Sequence, residues 1–335
     1  MTQQHQGERA LPEQFDAVLK TMEGIVTSYF MGGRLEQALH TLRAGQSLLE
    51  LPEVPAAARA RFLLCYGRML TLKTQFENAP EDEAIELLQQ ARQLGKQVDD
   101  ARLIADAVDS IGFAGYTVAS NRHEGDPSLL QGYFQEGLER RQELQDQRGI
   151  SESLFHLGLI ADIIDQPEQA HDYYTQSLQL AQKYNYAREA AEALRHLGFH
   201  AQREGNLPEA QRYFSEALQM AEQCGMQMYL PFAHVTLADV YLEQKELDRA
   251  SEHAQQALEL ARRLDVKRAQ IFALFSSGGI RQARGETQQA RDCYEQAHAL
   301  AQSIGLGYAI QRASDALQHL PGSVDSQSSA NEQER

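Results

Sequence analysis

The chain has 335 residues, 42% of them hydrophobic, and carries 31 Lys and Arg against 47 Asp and Glu, a formal net charge of −16. At about 150 residues per domain this is roughly two domains of sequence, and the apolar content excludes a wholly disordered chain. The acidity argues against nucleic acid and against an anionic membrane surface, because a phosphate backbone demands a basic face.

Taken in chain order, residues 1–10 are polar, with no apolar run behind a basic start, and are expected to be disordered. No stretch approaches the ~20 apolar residues of a bilayer crossing, so no membrane partner is expected and the expected compartment is the cytoplasm. A first, loose helical block runs from Met22 to Tyr29, breaks at Gly32-Gly33 and resumes near Ala38. A second is marked by Gly67, with a turn lengthened through Asn78-Ala79-Pro80. A third is marked by Gly112, with an insertion from Asn121 to Pro127 and an aromatic residue at Phe134.

From there the register is strict. A small residue recurs every 40 positions, at Gly158, Gly198, Ala238 and Gly278. Twelve positions after each stands an alanine: Ala170, Ala210, Ala250 and Ala290. Four further on are Tyr174, Phe214, Ala254 and Tyr294. Turn signals separate the halves, at Gln166-Pro167-Glu168, Gly205-Asn206-Leu207-Pro208, Lys245-Glu246-Leu247-Asp248 and Gly285-Glu286-Thr287. Within each half apolar residues recur at i, i+3, i+4 and i+7, the amphipathic-helix signal. The small residue lets two helices approach, and the alanine fills the reciprocal position. One such hairpin cannot bury both faces, so neighbours must stack.

The pattern of Leu-Gly, a Gly-Asn or Gly-Glu turn, then Ala, aromatic and Ala resembles the tetratricopeptide repeat. Its 40-residue period is similar to the long-helix variety of kinesin light chains and of bacterial peptide-pheromone receptors and regulators. Leu154, Leu194, His234 and Leu274 stand where the family has an aromatic first-helix residue, and the proline after the second helix is missing. The resemblance implies an all-α, right-handed superhelical α-solenoid of about seven helix-turn-helix repeats. They fall near 15–50, 56–97, 99–147, 150–186, 188–226, 229–266 and 268–305, with a capping helix at 306–319. One solenoid domain over 11–320 and a disordered tail at 321–335 are expected.

Motifs for chemistry are sparse. Gly95-Lys96 is followed by Gln97, which gives no P-loop, and Ser276-Ser277-Gly278-Gly279 is not a nucleophile elbow. His196 and His200 are spaced i, i+4, but no Cys or carboxylate is tied to them by spacing, so they are read as inter-helix or surface histidines. Cys65, Cys224 and Cys293 lie far apart without a CxxC and are read as small hydrophobes. No enzyme, metal or cofactor is expected.

The resemblance implies a concave wall built by the first helices. Counting from the small residue, the second to fifth repeats present Arg61, Leu64, Arg68, Thr71 and Leu72; Asp106, Asp109, Phe113, Tyr116 and Thr117; Glu152, Phe155, Leu159, Asp162 and Ile163; Glu192, Arg195, Phe199, Gln202 and Arg203. Phe232, Val235, Asp239, Leu242 and Glu243, then Phe272 and Phe275, continue the wall. The expected protein- or peptide-binding groove is an apolar, aromatic seam of Phe113, Tyr116, Phe155, Leu159, Ile163, Phe199, Val235, Leu242 and Phe275. A charged rim of Arg68, Asp162, Arg195, Arg203 and Asp239 completes it. The groove lacks the Lys and Asn set with which this family clamps a chaperone tail. The function expected is a binding scaffold or adaptor. The alternative is a peptide sensor whose superhelix changes shape and acts on a separate output protein.

Overall fold

The computed structural model describes residues 2–122 and 124–321, and among these every regular element is helical. Seven antiparallel hairpins follow one another. They are α1 (Thr2–Met31) with α2 (Leu35–Gln46), α3 (Ala56–Glu77) with α4 (Asp82–Gln97), and α5 (Ala101–Arg122) with α6 (Pro127–Glu143). Next come α7 (Gln147–Ile163) with α8 (Pro167–Tyr184), and α9 (Ala187–Arg203) with α10 (Leu207–Gln223). The last pairs are α11 (Leu230–Glu243) with α12 (Leu247–Arg263) and α13 (Lys267–Ala283) with α14 (Thr287–Ser303); α15 (Gly307–Gln318) packs against the end. This is a helical solenoid of tetratricopeptide-like repeats. Residues 2–10, expected to be disordered, are instead the opening turns of α1. Of the expected tail only Pro321 lies within the described residues, and His123 of the insertion lies outside them.

The regularity has a backbone cause. From Gln145 to Gly305 a residue of positive φ recurs every 20 positions: Gln145, Asp165, Asn185, Gly205, Gly225, Lys245, Asp265, Gly285 and Gly305. Each ends a helix in the left-handed conformation, and the next amide reaches back over the last turn, as Gln166 N does to Ala161 O at 2.8 Å and Tyr186 N to Ala181 O at 2.8 Å. The turn within a hairpin and the turn between hairpins are therefore the same turn.

In five of the seven hairpins a glycine of the first helix receives a large side chain from the second; in the α11–α12 hairpin Ala238 and Ala254 stand at these positions. A Cβ added at Gly158, Gly198 or Gly278 would fall 2.5 Å from the ring of Tyr174, Phe214 or Tyr294 respectively. The earlier repeats use Leu88 over Gly67 and Phe134 over Gly112. Ala170, Ala210, Ala250 and Ala290 are fully buried beside them.

The superhelix closes on itself. Phe76, at the end of α3, is 1% exposed because it packs edge-on to Tyr229 (ring centroids 5.3 Å apart) and stacks on Phe232 (6.0 Å). Asn78 Nδ2 donates to the carbonyls of Ile304 and Gly305 at 3.0 and 3.1 Å. Gly33, at φ +71°, lies so near Leu264 that a Cβ would fall 2.4 Å from its Cδ2. The first hairpins thus touch the last ones, and the concave side becomes a lumen.

Candidate functional site

Closure leaves a cavity of about 920 Å³ on one side of the lumen. Its walls are the C-terminal end of α1, the face of α3, the N-terminal halves of α5, α7 and α9, and the connection before α11. Arg61, Leu64, Arg68, Thr71, Leu72, Asp106, Asp109, Phe113, Glu152 and Glu192 all line it. These are wall positions counted from the small residue of each repeat. Met31, Cys224, Met226 and Tyr229 close its apolar end.

The charges form a dense network around Arg141, which reaches in from α6 and is 1% exposed. Its Nη2 donates to Asp106 Oδ1 and Glu152 Oε2, both at 2.9 Å, and its Nη1 to Ser153 Oγ at 2.7 Å and the Gly149 carbonyl at 3.0 Å. Asp109 Oδ1 lies 3.0 Å from the same guanidinium, and Asp109 Oδ2 accepts from His156 Nδ1 at 2.8 Å. Burial opposes ionisation of Asp109, but Arg141 and His156 outweigh it and hold the carboxyl below its ordinary range. Burial is outweighed more strongly at Glu152, held well down by Arg141 and Arg188.

The remaining cavity arginines are also paired. Arg61 bonds Asp16, Arg68 reaches Ser110 and Asp106, Arg102 lies beside Asp146, Arg148 bonds Glu189, and Arg188 bonds Glu152 and Glu189. Burial pushes the Cys65 thiol up to about 12, which disfavours its thiolate. Among the described residues no group of three or more His, Cys, Asp or Glu is placed to hold a metal ion. No helix there is long and apolar enough to cross a membrane.

Of the groove residues expected from sequence, Arg68 and Phe113 line this cavity. Four of the apolar seam are core, not surface: Phe155, Leu159, Val235 and Phe275 are 3–7% exposed. The winding is tight enough that these side chains fill the space between successive first helices. Tyr116 stacks on Phe113 at 5.9 Å, and Phe199 packs edge-on to Phe214 at 5.2 Å. Arg195 covers the Phe199 ring and donates to His196 Nε2 at 3.0 Å. Leu242 contacts Gly279 and is half-buried.

Asp162 is a packing hub, accepting from Tyr174, His200 and Arg203 at 2.8–2.9 Å. Those bonds overcome burial and hold its carboxyl far below its usual range. Arg203 is the outermost of that set, with a side chain 56% exposed. Asp239 accepts from Ser276 Oγ at 2.5 Å, and burial raises it to about 6. The sequence reading missed Arg141, because it counted only first helices, and missed Glu189, which stands one turn before Glu192.

The geometry defines a closed tetratricopeptide-type solenoid around a charged lumen. The chain belongs to the MalT-like TPR region family, whose profile matches residues 147–322. Comparison with curated protein sequences finds no match. Among solved structures it is similar to a Rap protein complexed with competence and sporulation factor, at 12% identity and a TM-score of 0.55, over 90% of this chain and 98% of that one. It is similar to the apo quorum sensor NprR from B. thuringiensis, at 12% identity and a TM-score of 0.54, over 94% and 92% of the two chains. A Rap conjugation gene regulator of plasmid pLS20, in complex with the Phr* peptide, matches at 12% identity and a TM-score of 0.55, over 91% and 98%. At these identities the likeness establishes the fold.

Proposed function

We propose that the protein is a non-enzymatic peptide-binding module and that its ligand occupies the lumenal cavity. The cavity carries the reading: about 920 Å³ of concave space with an apolar end and a polar wall is the size and mixture of a small-ligand or short-peptide site. The similar solved structures include one with a peptide and one named as a quorum sensor. Closure favours the sensor over the passive scaffold. A ligand entering this lumen acts on walls held together by contacts between the first and last hairpins. It therefore shifts the balance between closed and open superhelix by its differential affinity for the two. The output is a second polypeptide that reads that shape.

The test is to pass a pool of random hexapeptides over the immobilised protein, sequence what is retained, and measure affinity by fluorescence anisotropy. Retained peptides should lose binding when the cavity is filled by Leu72→Trp or Met69→Trp. Binding unaffected by both fillings in folded variants moves the site out of the lumen.

A further inference from the structure

The charge balance of the cavity is uneven in a way that points to its ligand. Every arginine lining it has a carboxylate partner within 3.5 Å. The helix N-termini that open onto it are also answered: Asp100 Oδ1 accepts from Leu103 N at 3.0 Å on α5, and Asp146 Oδ1 accepts from Gly149 N at 3.2 Å on α7. On α9 the carboxylate of Glu189 stands in the first turn.

Acceptor capacity is left over on three carboxylates. Glu192, on the cavity wall of α9, has no hydrogen bond or ion pair among the described residues. Glu189 is 1% exposed, and while its Oε1 takes both Arg148 and Arg188, its Oε2 is buried with no partner. Across the cavity on α1, Glu23 Oε1 is likewise buried without a partner. Burial pushes the Glu23 and Glu192 carboxyls up, with Arg61 and Arg188 offsetting only part of it. Buried acceptors without donors are costly, which applies to Glu23 Oε1 and Glu189 Oε2; the half-buried Glu192 lines the same space beside Met31, Met226 and Tyr229.

We infer that the cavity binds a cationic group, the ammonium or guanidinium of a lysine or arginine side chain in a short peptide, seated between Glu192 and Glu189 on α9 and Glu23 on α1. The inference rests on the lumenal reading above. A cation supplies the donors these oxygens lack, and the methylenes of a lysine or arginine stem lie against the apolar end. An anion would meet unpaired carboxylates, since the arginines are already taken.

The probes are four hexapeptide pools in which one position is fixed as Lys, Arg, Glu or Leu and the others are randomised, with spermidine as a separate arm. The Lys and Arg pools should bind at least about tenfold tighter than the Glu and Leu pools, as one charged hydrogen-bonded contact implies. Glu192→Gln should remove that preference, and circular dichroism should show the variant folded. A preference for the Glu or Leu pool overturns the cationic assignment and leaves the lumenal peptide site standing. So does an intact Lys and Arg preference in both Glu192→Gln and Glu23→Gln. Binding of spermidine with no pool bound keeps the cation and overturns the peptide as its source. Absence of all binding overturns both readings.

Discussion

Arg268, in the seventh hairpin, donates through Nη1 to the main-chain carbonyl of Gln75, in the second, at 3.0 Å and across 193 residues of sequence. The same nitrogen reaches Asn121 Oδ1, so one guanidinium ties α13 to both α3 and α5. If this contact and the Phe76 cluster hold the superhelix closed, Phe76→Ala should cost about 3–5 kcal/mol, as for a buried core Phe. Small-angle scattering should then show an expanded particle, and amide exchange should rise at the ends of α3 and α13 together. Loss confined to α3 would mean that the two ends are held independently.

The glycine clasp predicts opposite signs for one substitution. Gly158→Ala and Gly198→Ala place a methyl 2.5 Å from an aromatic ring, and overpacking of this kind costs about 1–3 kcal/mol. Gly132→Ala, on α6, meets nothing within 4 Å and should stabilise by about 0.5–1 kcal/mol through helix propensity. Urea denaturation of the three variants checks both.

Arg141→Ala leaves Asp106, Asp109 and Glu152 facing one another without their shared cation. The loss should be about 3–5 kcal/mol, as for a broken buried pair. Arg203→Ala removes a half-exposed partner of Asp162 and should cost under about 1 kcal/mol. Equal effects of the two substitutions in denaturant melts would show that the Arg141 network is not what holds the third and fourth hairpins together.

Asp239 gives a dependence on pH. Burial raises its carboxyl from 3.8 to about 6, so between those values the folded protein holds a proton that the unfolded chain has released. Stability therefore falls as pH rises through that window, and the penalty is complete above it. Asp239→Asn should raise stability near pH 7.5 by about 1–3 kcal/mol. The gain should vanish at about pH 3.5, below both values. A gain independent of pH, measured by thermal melts across the range, would place its cause outside this titration.

Phe155→Ala and Phe275→Ala should each cost about 3–5 kcal/mol, because both rings are core. Near-wild-type melting temperatures would return them to the exposed groove first expected of them.

The hairpins were legible because their determinants are local and repeated: Gly158, Ala170 and Tyr174 recur with a fixed offset, and a left-handed residue ends each helix. The wall count was legible for the same reason, and it named Arg61, Arg68, Asp106, Asp109, Glu152 and Glu192 without the structure. What could not be read was which wall residues stay accessible. That depends on superhelical pitch, a sum of small rotations over successive repeats. Nothing near Phe76 in sequence announces Tyr229 or Phe232. Phe155 is core through Tyr174 of its own hairpin and His196 of the next, and Phe275 through Tyr294 of its own hairpin, which leaves polar wall residues lining the open space. A signal was present in hindsight: Gln75-Phe76-Glu77-Asn78 places a large aromatic at a helix end where the repeat pattern asks for none.

Contact between the two ends also sets how the chain reaches its native state. In an open array each hairpin needs only its neighbours, so ordering can begin anywhere and terminal units fray first. Here the Asn78–Ile304 contact spans 226 residues, a separation more typical of a knot of distant strands than of stacked helices. Contacts of that range form late and slowly, because the intervening chain must already be arranged. Folding should therefore show a fast phase of hairpin stacking and a slower one in which the seam engages. Once engaged, the seam denies the terminal hairpins their usual freedom to melt alone. Truncation from either end would expose the same internal joint.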